Sequence, residues 1–153
     1  MDFKIEGPLI NQSSVCIPIL RALPDWFGIE EAILEYEQEI EHLPTLLAKS
    51  DGQVLGFLSL KRHFPASAEI LVMAVRPETH RAGIGRALVQ AAEAYACGLG
   101  VEYMQVKTLG PSRPNEEYTR TRAFYEGLGF RPLEEFKKIW DDINSCLVMI
   151  KRL

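Results

Sequence analysis

Two stretches of this chain carry residues whose types and spacing could do chemistry. In the first, Val75-Arg76-Pro77-Glu78-Thr79-His80-Arg81-Ala82-Gly83-Ile84-Gly85-Arg86-Ala87-Leu88, an apolar strand ends, a short connection follows, and two glycines open an apolar helix. The first turn of a helix has N–H groups without intrahelical acceptors, and the helix dipole is positive there. Glycine lets a ligand approach the backbone closely, so the turn suits a phosphate or pyrophosphate. The plain alternative is a helix start rich in small residues for packing. A P-loop would need Gly-Lys-Ser/Thr, which does not follow here. A dinucleotide fold would need G-x-G-x-x-G directly after the strand. Here Leu88 takes the third position and seven residues (76 to 82) separate Val75 from Gly83. Glu102, spaced for a ribose contact, begins the next strand instead of ending it.

The second stretch is Ala123-Phe124-Tyr125-Glu126-Gly127-Leu128-Gly129-Phe130-Arg131, a helix end entering a strand. Tyr125 brings a phenol, which can donate a proton or hydrogen bond while staying neutral at rest. Packing against Phe124 and Phe130 is the alternative. Other reactive residues are scattered. Cys16, Cys97 and Cys146 have no C-x-x-C spacing and read as small core residues. His42, His63 and His80 form no H-E-x-x-H, so no metal is expected.

The elements that must position these stretches follow from periodicity. Phe3–Ile5 reads as a strand stopped by Gly7-Pro8, and Asn11-Gln12-Ser13-Ser14 offers a helix cap before Val15, Ile17, Ile19 and Leu20, with Pro18 near the first turn or shortening the helix. Leu23–Gly28 is an aromatic loop. The stripe Ile29, Ala32, Ile33, Tyr36 and Ile40 predicts a helix over 29–43, ended by Pro44. Strands over 46–49 and 53–60 flank the turn Ser50-Asp51-Gly52. The apolar run 69–75 reads as a strand covered on both faces. A helix over 85–98, a strand over 103–108, a helix over 116–128 and strands over 130–140 and 146–151 complete the order β-α-α-β-β-β-α-β-α-β-β. That order predicts an α+β (mixed α/β) domain, a mixed sheet flanked by helices.

The first stretch resembles the coenzyme A pyrophosphate loop of the GNAT acetyltransferases, Gln/Arg-x-x-Gly-x-Gly/Ala, with His80 at the Gln/Arg position. The second resembles that family's Phe-Tyr-x-x-x-Gly-Phe signature, with Tyr118 and Thr121 where asparagine and alanine are common. The resemblance covers residues 45–153 well and the helical portion 1–44 in outline. It implies one GNAT domain over 1–153, with a mostly antiparallel sheet of about seven strands, about four helices, and acetyl-CoA as co-substrate. It also implies a V-shaped splay between the 69–75 and 103–108 strands that admits the pantetheine arm. Met73, Ala74, Val75, Arg81, Ala82, Gly83, Ile84, Gly85, Arg86 and Tyr118 would then contact the coenzyme, a backbone N–H near Met73–Val75 supplying the oxyanion donor. Residues 107–122 could bear the adenosine 3′-phosphate or stay solvated.

Acetyl transfer to an amine needs a neutral nucleophile, oxyanion donors and a proton for the leaving thiolate. Deprotonating an alkylammonium at pH 7 costs about 4–5 kcal/mol. Glu69, which begins the 69–75 strand, is the candidate base because its spacing to Gly83 resembles that of the base glutamate in histone acetyltransferases of this superfamily, with a solvent-facing strand-end glutamate as the alternative. His63, at the end of the preceding strand, is a poorer candidate. Tyr125 matches the family's general acid. Attack within a ternary complex is expected, because no His-Asp arrangement surrounds a cysteine. Trp26, Phe27, Glu30, Glu31, Trp140, Asp141, Asp142 and Asn144 would meet the acceptor, a small amine or lysine-like group held by charge and cation–π contact. A sensor that binds coenzyme A without turnover is the alternative from another class.

Composition sets the remaining bounds. The 153 residues suit one domain, and 47% apolar with 25% charged residues is globular usage. A formal charge of −4 argues against broad binding to nucleic acid or an anionic membrane. No apolar run approaches a membrane span, the first residues do not read as a signal peptide, and isolated cysteines suit a reducing cytoplasm. A homodimer is common in such folds.

Overall fold

The structure is a computed structural model describing residues 2–140 and 144–153. It contains β1 (Lys4–Leu9), α1 (Ser13–Arg21), α2 (Glu30–Ile40), β2 (Thr45–Ser50), β3 (Gln53–Phe64) and β4 (Ser67–Val75). Then follow α3 (Ile84–Gly98), β5 (Tyr103–Leu109), α4 (Glu116–Gly127), β6 (Arg131–Phe136) and β7 (Cys146–Arg152). The element order is the one the periodicity predicts, with a short 3-10 turn at Pro77–Thr79 added. The seven strands form one sheet in the order β1-β2-β3-β4-β5-β7-β6. Only β4 and β5 run parallel; every other neighbouring pair is antiparallel.

Three differences from the sequence expectation have physical causes. β1 continues through Gly7-Pro8 to Leu9, because an edge strand does not need every N–H for its ladder. Pro18 lies inside α1 instead of in its first turn. β3 runs four residues past Leu60, to Phe64, so the polar run Lys61-Arg62-His63 is strand and not loop.

Each face of the sheet buries its own core. Leu88, Val89, Ala92 and Ala96 of α3 pack with Ile70, Met104, Val106, Tyr125 and Phe130. On the opposite face, Ile17, Ile19 and Leu20 of α1 and Ile33 and Ile40 of α2 cover Leu47, Phe57, Val72 and Ala74. Strand β4 changes phase midway. Ser59 opposes Val72 and Leu60 opposes Ile70, so Leu71 is an extra residue in a bulge. Ala68 and Ile70 therefore face the α3 side, whereas Val72 and Ala74 face the α1–α2 side.

The bulge coincides with a parting of the sheet. Pairing between β4 and β5 runs from Ser67↔Tyr103 to Ile70↔Val106 and then stops, although β4 continues to Val75 and β5 to Leu109. The strands thus diverge over the stretch where the resemblance implied a splay, leaving ladder positions of residues 71–75 without a partner on that side. Past the last pair, the buried Thr108 hydroxyl has no hydrogen-bond partner among the described residues.

Candidate active site

The opening of α3 lies at the wide end of the splay. Gly83 caps the helix in the left-handed region at φ +85°, and Arg81 is left-handed at φ 68°. A Cβ on Gly83 would meet nothing within 4 Å, so the turn borders open space. The first N–H with a protein acceptor is that of Ala87, which donates to the Gly83 carbonyl at 3.1 Å. Among the described residues the N–H groups of Gly83, Ile84, Gly85 and Arg86 have no acceptor. Gly85 serves packing instead: a Cβ there would lie 3.1 Å from the Phe124 ring. The turn is braced from behind, where His80 Nε2 donates to the Val75 carbonyl at 2.8 Å. The four N–H groups, the dipole of a 15-residue helix and the open approach at Gly83 suit an anion such as a diphosphate.

Tyr125 projects from α4 between Phe124 and Phe130, with ring centroids 5.2 and 5.5 Å away in edge-on contact. The residue is 5% exposed, yet its hydroxyl makes no hydrogen bond within the described protein. Burial pushes its phenol well above the ordinary tyrosine range, with Tyr118 and Tyr36 adding to the effect. Tyr125 therefore stays protonated and can donate. Tyr118 spends its phenol differently. Its hydroxyl donates to the Trp26 carbonyl at 2.6 Å, and burial first, then Tyr36, pushes it up to about 12.

Glu69 is the most unusual side chain of the sheet. The strand begins two residues earlier than expected, at Ser67, so Glu69 is internal and 2% exposed, not solvent-facing. Its neighbours on the same face come from β3 and β5. His63 Nε2 lies 2.6 Å from Oε1, Gln105 Nε2 lies 3.2 Å from it, and Lys107 Nζ lies 3.6 Å from it. All three groups converge on Oε1, while Oε2 makes no hydrogen bond among the described residues. A buried carboxylate is tolerated when paired in this way. Tyr36 of α2 completes the surroundings: burial raises its phenol, and the Glu69 charge is the next cause.

Tyr36 and Gln105 were absent from the sequence-based candidates, Lys107 entered only as one end of the stretch that could bear a 3′-phosphate, and His63 was ranked below Glu69. A signal existed for two of them. Glu69 pairs with Gln105, two residues after the predicted strand start at Tyr103, and a parallel ladder sets Gln105 and Lys107 on its face. For Tyr36 the helical stripe showed burial and nothing of its partners.

The acceptor-side candidates divide. Trp26 donates Nε1–H to Thr121 Oγ1 at 3.1 Å, and its ring meets His80 edge-on at 5.9 Å. The α1–α2 loop is thereby fastened to α4 and to the back of the α3 turn. Phe27 packs edge-on against Tyr36 at 6.2 Å, beside the Glu69 cluster. Glu30 is engaged elsewhere, since both its oxygens accept from Arg21 at 2.7 Å, which holds its carboxyl below the usual range. Glu31 is exposed, Trp140 is 47% exposed, and Asn144 is half-buried just before β7. Asp141 and Asp142 lie outside the described residues. Cys16 and Cys146 are buried as expected, but Cys97 is exposed on the last turn of α3, which corrects its reading as a core residue. Burial pushes the Cys16 thiol up to about 12 and raises that of Cys146, so neither is a ready nucleophile. Among the described residues no group of three or more His, Cys, Asp or Glu side chains could hold a metal ion, and no helix is long and apolar enough to cross a membrane.

Comparison with known proteins identifies the family. The acetyltransferase (GNAT) domain family matches residues 41–132, more than half of the chain. The uncharacterized N-acetyltransferase CT2212 of Chlorobaculum tepidum is 32% identical over 114 residues, covering 72% of this chain and 66% of that protein. Among solved structures, a GNAT-family protein from Desulfovibrio desulfuricans superposes with a TM-score of 0.84 at 16% identity, over 99% of both chains. The PaiA N-acetyltransferase of Thermoplasma acidophilum, solved with coenzyme A, gives 0.75 at 20% identity over 100% of both chains. These structural likenesses speak for the fold, and the two sequence matches speak for descent. The chain belongs to the GNAT acetyltransferase family.

Proposed function

We propose that the protein is an N-acetyltransferase that moves an acetyl group from acetyl-CoA to a primary amine within a ternary complex. The observation that carries this reading is that the unpaired N–H groups of Gly83–Arg86 and the unbonded hydroxyl of Tyr125 belong to elements packed on one face of the sheet that parts between β4 and β5, with the Phe124 ring against both Gly85 and Tyr125. Bound acetyl-CoA would supply an activated thioester carbonyl. The N–H groups of residues 83–86 would hold its diphosphate, and residues 73–75 of β4 would border the arm that threads the parted strands. A backbone N–H in that same stretch would donate to the carbonyl oxygen as negative charge develops there.

Glu69 would act on the acceptor side. Its Oε2 takes the proton of the attacking nitrogen while Oε1 stays fixed by its three partners. The C–N bond forms, the C–S bond breaks, and Tyr125 gives its proton to the departing sulfur. Through water, the proton taken by Glu69 leaves and one returns to Tyr125, so the two transfers balance. The raised thiols of Cys16 and Cys146 disfavour an acetyl-cysteine route. Tyr36 and Phe27 line the approach to Glu69 and suit an alkylammonium, so a small amine or a lysine side chain is the acceptor class.

The test is thiol release from acetyl-CoA with a panel of polyamines, amino acids, aminoglycosides and lysine peptides. Amine-dependent release supports the reading. Coenzyme A binding with no turnover on any amine would point to a sensor instead.

A further inference from the structure

Glu69 is 2% exposed, and the groups that hold its carboxylate are unequal. Gln105 cannot titrate, and the Lys107 ammonium sits farther off at 3.6 Å. His63 touches Oε1 at 2.6 Å, keeps 31% of its side chain exposed, and is the residue type that titrates nearest neutrality. Its placement is structurally specified. The β3–β4 ladder skips it, because Arg62 opposes Ala68 and Phe64 opposes Ser67, which makes His63 the extra residue of a second bulge. Bulges re-aim single side chains, and this one brings an imidazole onto a carboxylate six residues later in the chain.

We infer that His63 is the positioning residue of Glu69: neutral, it fixes Oε1 and leaves Oε2 free, and protonated, it locks the carboxylate into an ion pair that slows the reaction. The inference rests on Glu69 acting as base. An ionised carboxylate only accepts, so the neutral ring must carry its hydrogen on Nε2. In that state His63 is a neutral donor to Oε1. Adding a proton to Nδ1 turns the contact into an imidazolium–carboxylate pair, which favours the ionised carboxylate and weakens it as a base. The other titratable groups around the pair are Lys61 of β3, Lys107 of β5, Tyr36 and Glu39 of α2, and Cys146 of β7. Lys61 is already paired with Glu39 at 3.2 Å. None of these is an imidazole.

The experiment is a kcat and KM pH profile for the full chain and its H63A, H63Q and E69Q variants, using acetyl-CoA and the amine of the panel turned over fastest. H63A should lower kcat by about 10- to 100-fold, the range for a partner that orients a reacting group, with the KM for acetyl-CoA within about twofold. H63Q restores a donor without restoring a titrating one. It should recover part of the lost turnover, and its rate should fall less steeply on the acid side than that of the unaltered protein. NMR adds a readout that needs no acceptor: E69Q should alter the titration of the His63 ring and leave His42 and His80 unchanged. If H63A fails to fold, H63Q and the NMR titration carry the test alone. An H63Q profile with the unaltered acid limb, or a His63 titration indifferent to E69Q, overturns the inference. Loss of turnover in E69Q beside normal H63A and H63Q would leave Glu69 as base and reject His63. Normal turnover in E69Q would reject the base and His63 together.

Discussion

Replacing Tyr125 with phenylalanine separates two jobs that one side chain could do. The ring packs against Phe124 and Phe130 and is 5% exposed, whereas the hydroxyl bonds to nothing in the described protein. Tyr125→Phe keeps the ring and loses only the hydroxyl. Because no hydrogen bond is lost, stability should change by about 0.5 kcal/mol or less. A proton donated in the transition state contributes about 10²- to 10⁴-fold, or about 2.7–5.4 kcal/mol of barrier. The variant should therefore melt within about 2 °C of the parent and bind coenzyme A normally, while kcat falls at least about 100-fold. Tyr125→Ala is the contrast: losing the ring should cost about 3–5 kcal/mol and lower Tm by roughly 10 °C. Stopped thiol-release assays, a thermal melt and coenzyme A calorimetry read all three quantities. A Tyr125→Phe enzyme with parental kcat refutes the role of the hydroxyl. A variant that melts many degrees lower shows that the hydroxyl has a structural partner and refutes the reading of the site as open.

Further outcomes follow from the same geometry. Gly83→Ala puts a side chain at φ +85°, which should cost about 1–2 kcal/mol and weaken coenzyme A binding in calorimetry, since the new methyl projects into the open approach. Gly110→Ala sets a methyl 2.1 Å from Glu135 Oε2 and 2.4 Å from Ser145 Oγ. Glu135 must then leave its bonds from the Ser112 and Ser145 hydroxyls, at 2.6 and 2.7 Å, and the loop before α4 loosens. The expected cost is about 1 kcal/mol, or 2–4 °C in Tm, with faster amide exchange at residues 110–115. The phenols of Tyr36, Tyr118 and Tyr125 are all raised by burial. Above about pH 10 the unfolded chain ionises while the folded phenols hold their protons, so stability is intact below that pH and falls above it. Denaturant melts from pH 8 to 11 check this, and Tyr118→Phe should flatten the fall.

The fold was legible because its elements alternate cleanly in period. The stripe Leu88, Ala91, Ala92 and Tyr95 and the apolar run 69–75 each admit one reading, and Gly83 and Gly85 mark the strand-to-helix turn by residue type alone. The turn that opens α3 was legible for the same reason, since a helix N-terminus after a buried strand depends on local sequence. The carboxylate cluster around Glu69 was not. Glu69, His63, Gln105 and Lys107 meet through a ladder register and two bulges, and no local pattern encodes those. His63 was ranked below Glu69 because the polar run 61–63 does not show the four-residue extension of β3 that carries it. Glu30 misled in the opposite direction, because acidic character near aromatics does not reveal that Arg21, nine residues earlier, holds both its oxygens.

The central claim is that the backbone of residues 83–86 grips a diphosphate and thereby aims a thiol at the Tyr125 hydroxyl. A crystal structure of the full chain with coenzyme A measures both ends of that statement at once. The account predicts diphosphate oxygens within hydrogen-bonding distance of the Gly83–Arg86 nitrogens, an arm lying between β4 and β5, and the sulfur against Tyr125 Oη. Coenzyme A bound elsewhere, or bound at the turn with its sulfur directed away from that phenol, would contradict it.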